Sequence, residues 1–148
     1  MEWRDLPAYA WHHKIKTAQG RVVPAEETVW MRTREVWLHA VDLDNGATFT
    51  DIPAPVLERL LKDITGAWKT RGTDQGLLLK VTGTDQTFGD TSAANPTIIT
   101  GPLPAVVQWA AGRGTAGVTA SGAEAKKAEP GANGPVPSQQ VAPAPTWI

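Results

Sequence analysis

The chain has 148 residues, with 14 Lys and Arg against 15 Asp and Glu, and no cysteine. A net charge of −1 excludes the global basic field that draws nucleic acid or an anionic membrane, and the absence of thiols excludes a disulfide framework, a thiolate metal site and a cysteine nucleophile. With 41% hydrophobic and 20% charged residues, no apolar run near the ~20 residues of a membrane span and no secretory-signal pattern in residues 1–16, the expectation is a soluble, cytoplasmic globular protein.

Residues 5–18 read as a first helix, with Asp5 as N-cap, Pro7 in the first turn and Gly20 as the stop. "GRVVP" (20–24) is a short extended connector. A second helix is expected over 25–43, with Glu26 and Glu27 favourable at its positive N-terminal end, and "DNG" (44–46) is a turn. "TFTDIPAPV" (48–56) reads as extended and leads into a third helix over about 55–70, whose Val56, Leu60, Ile64 and Trp68 form one apolar stripe widened by Leu57 and Leu61. Two strands follow, "GLLLKVTG" (76–83) and "PTIITG" (96–101), with a turn and a short strand between them in "GTDQTFGD". "PLPAVVQWAAGR" (102–113) is a fourth helix, with a proline in its first turn. From residue 122 the chain is rich in Ala, Pro and Gly, a linker-like composition expected to be mobile. The closing "VAPAPTWI" is the exception, and its Trp-Ile reads as an anchor that docks back on the domain.

The second helix carries Arg32, Glu35, His39 and Asp42 at spacings of three, four and three residues. At about 100° per residue these four and Thr28 make one narrow polar stripe. Val29, Val36, Ala40 and Leu43 lie along one side of it, Met31 and Leu38 along the other, and Trp30, Trp37 and Val41 opposite. Apolar walls on both sides predict a helix buried nearly all round, with a polar seam facing an internal cavity. Within the seam Glu35 and His39 stand at i, i+4 and reach the same point, and neutral imidazole with carboxylate is a common donor set for Zn²⁺. The plainer alternative is a simple ion pair or hydrogen bond, or a pairing of Glu35 with Arg32, which shares its face, in preference to Arg34. Two donors do not complete a catalytic zinc site, which keeps three protein ligands and an open position. The remaining histidines, His12 and His13, read as surface residues, and Trp30 and Trp37 as core.

"TAQGRVVPAEETVWMRTREVWLHAVDL", "ATFTDIP", "GPLPAVVQWAAGRGTAGVT" and "PAPTWI" occur in this order, and together they resemble the mycothiol-dependent maleylpyruvate isomerase family. The resemblance covers the chain from about Trp11 to Ile148. It implies an α+β fold: a segment of a helical, DinB-like metal-binding bundle in residues 1–44, a small α/β domain with a mixed sheet in 45–121, and a Pro/Ala-rich tail with a docking end in 122–148. It implies that Glu35 and His39 are two zinc ligands, the third being a histidine from an earlier helix of the family with no counterpart in this chain. Arg113, in the "AAGRG" segment, falls on a functionally important arginine. The implied reaction is the cis-to-trans conversion of maleylpyruvate to fumarylpyruvate in gentisate breakdown, with mycothiol as the added thiol.

That chemistry gives the seam a use. A conjugated double bond rotates only while its double-bond character is suspended, and a thiolate that adds and is later expelled does this. A zinc ion on Glu35 and His39 would act as a Lewis acid and lower the thiol pKa, Asp42 or Arg32 could orient its ligands, and Arg113 would bind a substrate carboxylate with its planar fork. Without the resemblance, Arg113 reads as a residue that satisfies the last carbonyls of its helix. The rival readings are a non-catalytic small-molecule-binding module of sterol-carrier-like layout and another mycothiol-dependent metalloenzyme of the same family. Expected partners are maleylpyruvate and a low-molecular-weight thiol, with neither nucleic acid nor membrane. An exposed half-bundle would also favour a homodimer, with Trp30 and Trp37 at its face.

Overall fold

A computed structural model of the chain describes residues 5, 7–122 and 141–147. The chain forms two compact units, Met1–Ala47 and Thr48–Ile148.

In the first unit the expected opening helix is replaced by a short 3-10 helix, Ala8–His12, followed by a hairpin of β1 (Lys14–Lys16) and β2 (Val22–Pro24). The strands pair antiparallel with Ile15 opposite Val23. Thr17 and Gly20 shape the turn. The Thr17 N–H donates to the Arg21 carbonyl, and the Gly20 N–H donates to the Thr17 carbonyl at 2.8 Å. Gly20 sits at φ 84°, where side chains are disfavoured. β-Branched Ile15, Val22 and Val23 thus win over the helical reading, and the "connector" is the second strand of this hairpin. Helix α1 (Glu26–Asp42) follows, with Glu26 and Glu27 in its first turn as expected.

The second unit opens with another departure. Residues 48–51 are not extended: Phe49–Asp51 is a 3-10 turn closed by a capping box, in which the Thr48 N–H donates to Asp51 Oδ2 at 2.7 Å. Phe49 and Ile52 are buried, so the turn tucks an apolar pair inward before α2 (Ala54–Arg71) begins at Pro53. Leu57, Leu60, Leu61, Ile64 and Trp68 of α2 are buried, on the stripe that the spacing predicts. Gly72, at φ 68°, ends the helix in the left-handed conformation, and the Thr73 N–H reaches back to the Trp68 carbonyl at 2.9 Å.

A four-stranded mixed sheet follows in the order β4-β3-β5-β6, with β3 Leu77–Val81, β4 Thr87–Gly89, β5 Thr97–Gly101 and β6 Thr119–Gly122. The central pair, β3 and β5, is parallel and both edges are antiparallel. Leu79, Val81 and Ile99 are buried, and so are Val106, Val107 and Trp109 of α3 (Leu103–Ala110). β6 has no counterpart in the sequence-based expectation. Its "TASG" carries little strand propensity, and its place depends on pairing with β5, Ile99 opposite Ala120. The mixed sheet and helices make the α+β class expected from the sequence.

Residues 123–140, the run expected to be mobile, lie outside the described residues. Residues 141–147 form a strap on the second unit. Val141 and Trp147 are buried. Trp68 Nε1 donates to the Pro145 carbonyl and Trp109 Nε1 to the Ala142 carbonyl, both at 2.9 Å, and Arg71 Nη1 donates to the Thr146 carbonyl at 3.1 Å. Two buried indole N–H groups, each needing an acceptor, thus find it in the proline-spaced backbone of the tail. No helix among the described residues is long and apolar enough to cross a membrane.

Candidate metal centre

Helix α1 corrects the buried-seam expectation. Its buried residues are Trp30 and Leu38, and the Arg34 side chain, 19% exposed, shares their arc. The opposite arc faces out. Arg32, Glu35, His39 and Asp42 are exposed, and beside them Val36 is 52% and Leu43 71% exposed. Periodicity places the stripe correctly on the helix but does not say which arc is covered. Trp37 is half-buried and, with Val29, Arg32, Thr33 and Val36, lines a groove on this outer face. Trp30, expected at an exposed dimer face, is buried instead.

Glu35 and His39 do meet. His39 Nε2 lies 3.3 Å from Glu35 Oε2. The other carboxylate oxygen, Oε1, faces Arg34 Nη2 at 3.6 Å. Arg34, not Arg32, is therefore the cation that steadies Glu35. A half-buried guanidinium holds one oxygen and leaves the other turned toward the imidazole. At the surface such a pair contributes about 0–1 kcal/mol to stability.

The donor separation tests the fit to a metal. Two ligands at about 2.0–2.1 Å from zinc at the tetrahedral angle stand roughly 3.3–3.4 Å apart, and the observed separation is 3.3 Å. Type and spacing of the donors suit zinc, but their number falls short. Among the described residues no group of three His, Cys, Asp or Glu side chains could hold a metal ion. His12 does not join. Its Nδ1 faces Glu26 Oε2 at 3.8 Å at the start of α1, and the His13 ring lies against Tyr9, centroids 6.1 Å apart.

Arg113 belongs to the second unit. Its Nη1 donates to the Ala111 carbonyl at 2.8 Å, its N–H to the Gln108 carbonyl at 3.0 Å, and its own carbonyl accepts from Gln108 Nε2 at 3.1 Å. Its side chain thus bonds a carbonyl at the C-terminal end of α3. A perturbed carboxyl lies elsewhere in the second unit. The Gly76 N–H, at 2.9 Å, and then the Ser92 hydroxyl, at 2.7 Å, hold the Asp90 carboxyl below its ordinary value. These bonds staple the β3–β4 hairpin to the loop after it, a structural use of charge.

Two solved structures match this chain: the mycothiol-dependent maleylpyruvate isomerase and a histidine-to-alanine mutant of that enzyme. Each is 45% identical to it with a TM-score of 0.75, over 80% of this chain and 50% of theirs. The chain belongs to the mycothiol-dependent maleylpyruvate isomerase family. It spans about half the length of these relatives. No family model and no curated protein matches it. In this member of the maleylpyruvate isomerase family, the resemblance drawn from four short segments is thus matched by the fold. Trp147 of the strap and Phe49 of the turn, both buried in the second unit, fall within those segments.

Proposed function

We propose that this chain takes part in the thiol-dependent cis–trans isomerisation of maleylpyruvate to fumarylpyruvate, with Glu35 and His39 as two ligands of a zinc ion and Arg113 as the anchor for a substrate carboxylate. The observation that carries this reading is the 45% identity, at a TM-score of 0.75, to the mycothiol-dependent maleylpyruvate isomerase. The spacing of the two donors supports the zinc assignment. Zinc bound there supplies a Lewis acid that keeps a thiol deprotonated at neutral pH.

The chain's own residues then have separate tasks. Glu35 presents Oε2 because Arg34 holds Oε1, so the carboxylate does not have to be reoriented to bind. His39 must present Nε2 as a lone pair, hence as neutral imidazole. Arg113 is held at the end of α3, its backbone carbonyl by Gln108 Nε2 and its Nη1 by the Ala111 carbonyl, and a planar guanidinium fork suits a carboxylate.

The test follows the conversion of maleylpyruvate by ultraviolet absorbance, with and without mycothiol and zinc. Weak thiol-dependent conversion above the uncatalysed rate is expected from a site with two donors, with loss in Glu35→Ala and His39→Ala and a rise in KM of about tenfold or more in Arg113→Ala, equivalent to about 1.4 kcal/mol of lost binding. No thiol-dependent conversion at any zinc concentration overturns the reading. Binding of the substrate that survives His39→Ala without turnover would make the chain a binding module instead.

A further inference from the structure

We propose that the surface formed by Trp68, Arg71 and Trp109 is a recognition site for extended, proline-spaced peptide segments, held in this chain by its own residues 141–147. Every residue involved lies in the second unit, so the proposal is independent of the zinc and isomerase readings.

The strap repeats every third residue in two separate respects. The first is burial. Val141 and Trp147 are buried and Ala144 between them is half-buried, while Pro143 and Thr146 are exposed. The second is hydrogen bonding. The Ala142 and Pro145 carbonyls, three residues apart, accept the indole N–H groups of Trp109 and Trp68. Three residues per turn is the repeat of the polyproline II helix; a β-strand alternates every two, which would bury Pro143 with Val141. The sequence presets this conformation. Pro143 and Pro145 fix their own φ near −65°, and each biases the residue before it, Ala142 and Ala144, to the extended region. Four consecutive residues are thus ordered before they dock, which lowers the entropy cost of binding. The same prolines carry no N–H, so recognition of this stretch falls to its carbonyls.

The receiving side is built for carbonyls. Trp68 is fully buried and Trp109 nearly so. An indole N–H only donates, and a buried one needs an acceptor. Arg71, exposed and one helical turn beyond Trp68, adds a third donor to the Thr146 carbonyl. All three bonds go to main-chain atoms, so the site reads spacing: an apolar anchor, a tryptophan six residues later, and prolines with small residues between. Docking of a preformed polyproline II segment on an aromatic surface is a general mode of peptide recognition. The partner that fits is a protein segment of that pattern. The chain's own strap competes with it at an effective concentration of order mM.

The test titrates a capped Val-Ala-Pro-Ala-Pro-Thr-Trp peptide into the full chain carrying Val141→Ala and Trp147→Ala, which removes both anchors from the strap in place. The readouts are Tm and the indole N–H resonances in a nitrogen–proton correlation spectrum. Tm should rise with peptide concentration and indole resonances should shift. The natural chain should bind the peptide at least about tenfold more weakly, because its strap occupies the site. A peptide with both prolines changed to alanine should bind about tenfold more weakly, having lost its preset conformation. Adding Arg71→Ala should weaken binding by about threefold to tenfold. A double variant that unfolds alone should refold with the peptide, so its instability does not hide the answer. Neither a Tm rise nor a resonance shift at about 1 mM peptide overturns the proposal. Equal binding of the proline-free peptide also overturns it, since the two anchors then suffice without the polyproline conformation. Equal binding to the natural chain and the double variant does so too, by placing the peptide at another site.

Discussion

Replacing Trp147 with alanine should cost the second unit about 3 kcal/mol, at the low end of the roughly 3–5 kcal/mol typical of a buried aromatic cut to alanine. The low end follows from how the strap is held. Ordering a residue costs about 1–2 kcal/mol of backbone entropy, and each hydrogen bond returns only about 1 kcal/mol net. The three bonds to the carbonyls of Ala142, Pro145 and Thr146 therefore cannot hold residues 141–147 by themselves. Burial of Val141 and Trp147, the latter 6% exposed, must do most of the work. Once Trp147 is gone the strap detaches, and nothing more is lost by weakening it further. Thermal unfolding followed by far-ultraviolet circular dichroism should show a Tm lower by roughly 12–24 °C, at about 4–8 °C per kcal/mol for a unit of this size. Val141→Ala should destabilise on its own yet add almost nothing to Trp147→Ala. Costs that add to within about 0.5 kcal/mol, or a Tm shift under about 4 °C, would refute the picture of a strap held as one piece.

Two further outcomes follow from the second unit. Asp90 has a folded pKa below its ordinary value of 3.8, so the stability it contributes is present above that value and fades as pH falls through the lower folded pKa. The difference in denaturant midpoint between the natural chain and Asp90→Asn should be full at pH 6 and close as pH falls below about 4; a gap that widens in acid would be the wrong sign. Gly89 sits at φ 92° with the Leu77 carbonyl where a Cβ would stand, so Gly89→Ala should destabilise by about 1–3 kcal/mol through backbone strain. A neutral effect in chemical denaturation would mean that the β3–β4 hairpin has room the backbone does not show.

How much of this was legible in the sequence differs between the two units, for a physical reason. In the second unit the apolar stripe of α2, the two central strands and the short α3 carry local signals: helical spacing, β-branched runs, prolines at helix starts. Each appears where the pattern puts it. β6 does not, because Thr119–Gly122 becomes a strand only by pairing with β5, a contact that local sequence does not carry. In the first unit Asp5, Pro7 and Gly20 read as the cap, first turn and stop of a helix, but β-branched Ile15, Val22 and Val23 and the turn at Gly20 make a hairpin there. On α1 the difference is of another kind. The arcs lie where the periodicity puts them, and Glu35 and His39 meet as the i, i+4 rule requires. Which arc is covered depends on what packs against the helix, and that is not a property of its own residues. Arg34 lies off the seam, yet it holds Glu35 from the covered side, because an i, i+1 neighbour at the border between two arcs reaches across it.

Trp68 of α2 and Trp109 of α3 meet edge-on, ring centroids 6.0 Å apart and planes at 79°. Chromophores this close share their excited states, and shared excitations give paired bands of opposite sign in circular dichroism. The second unit thus carries its own optical gauge, built from the two indoles whose N–H groups grip the strap. A titrant that loosens the contact between α2 and α3 registers in that couplet, while events confined to α1 leave it silent.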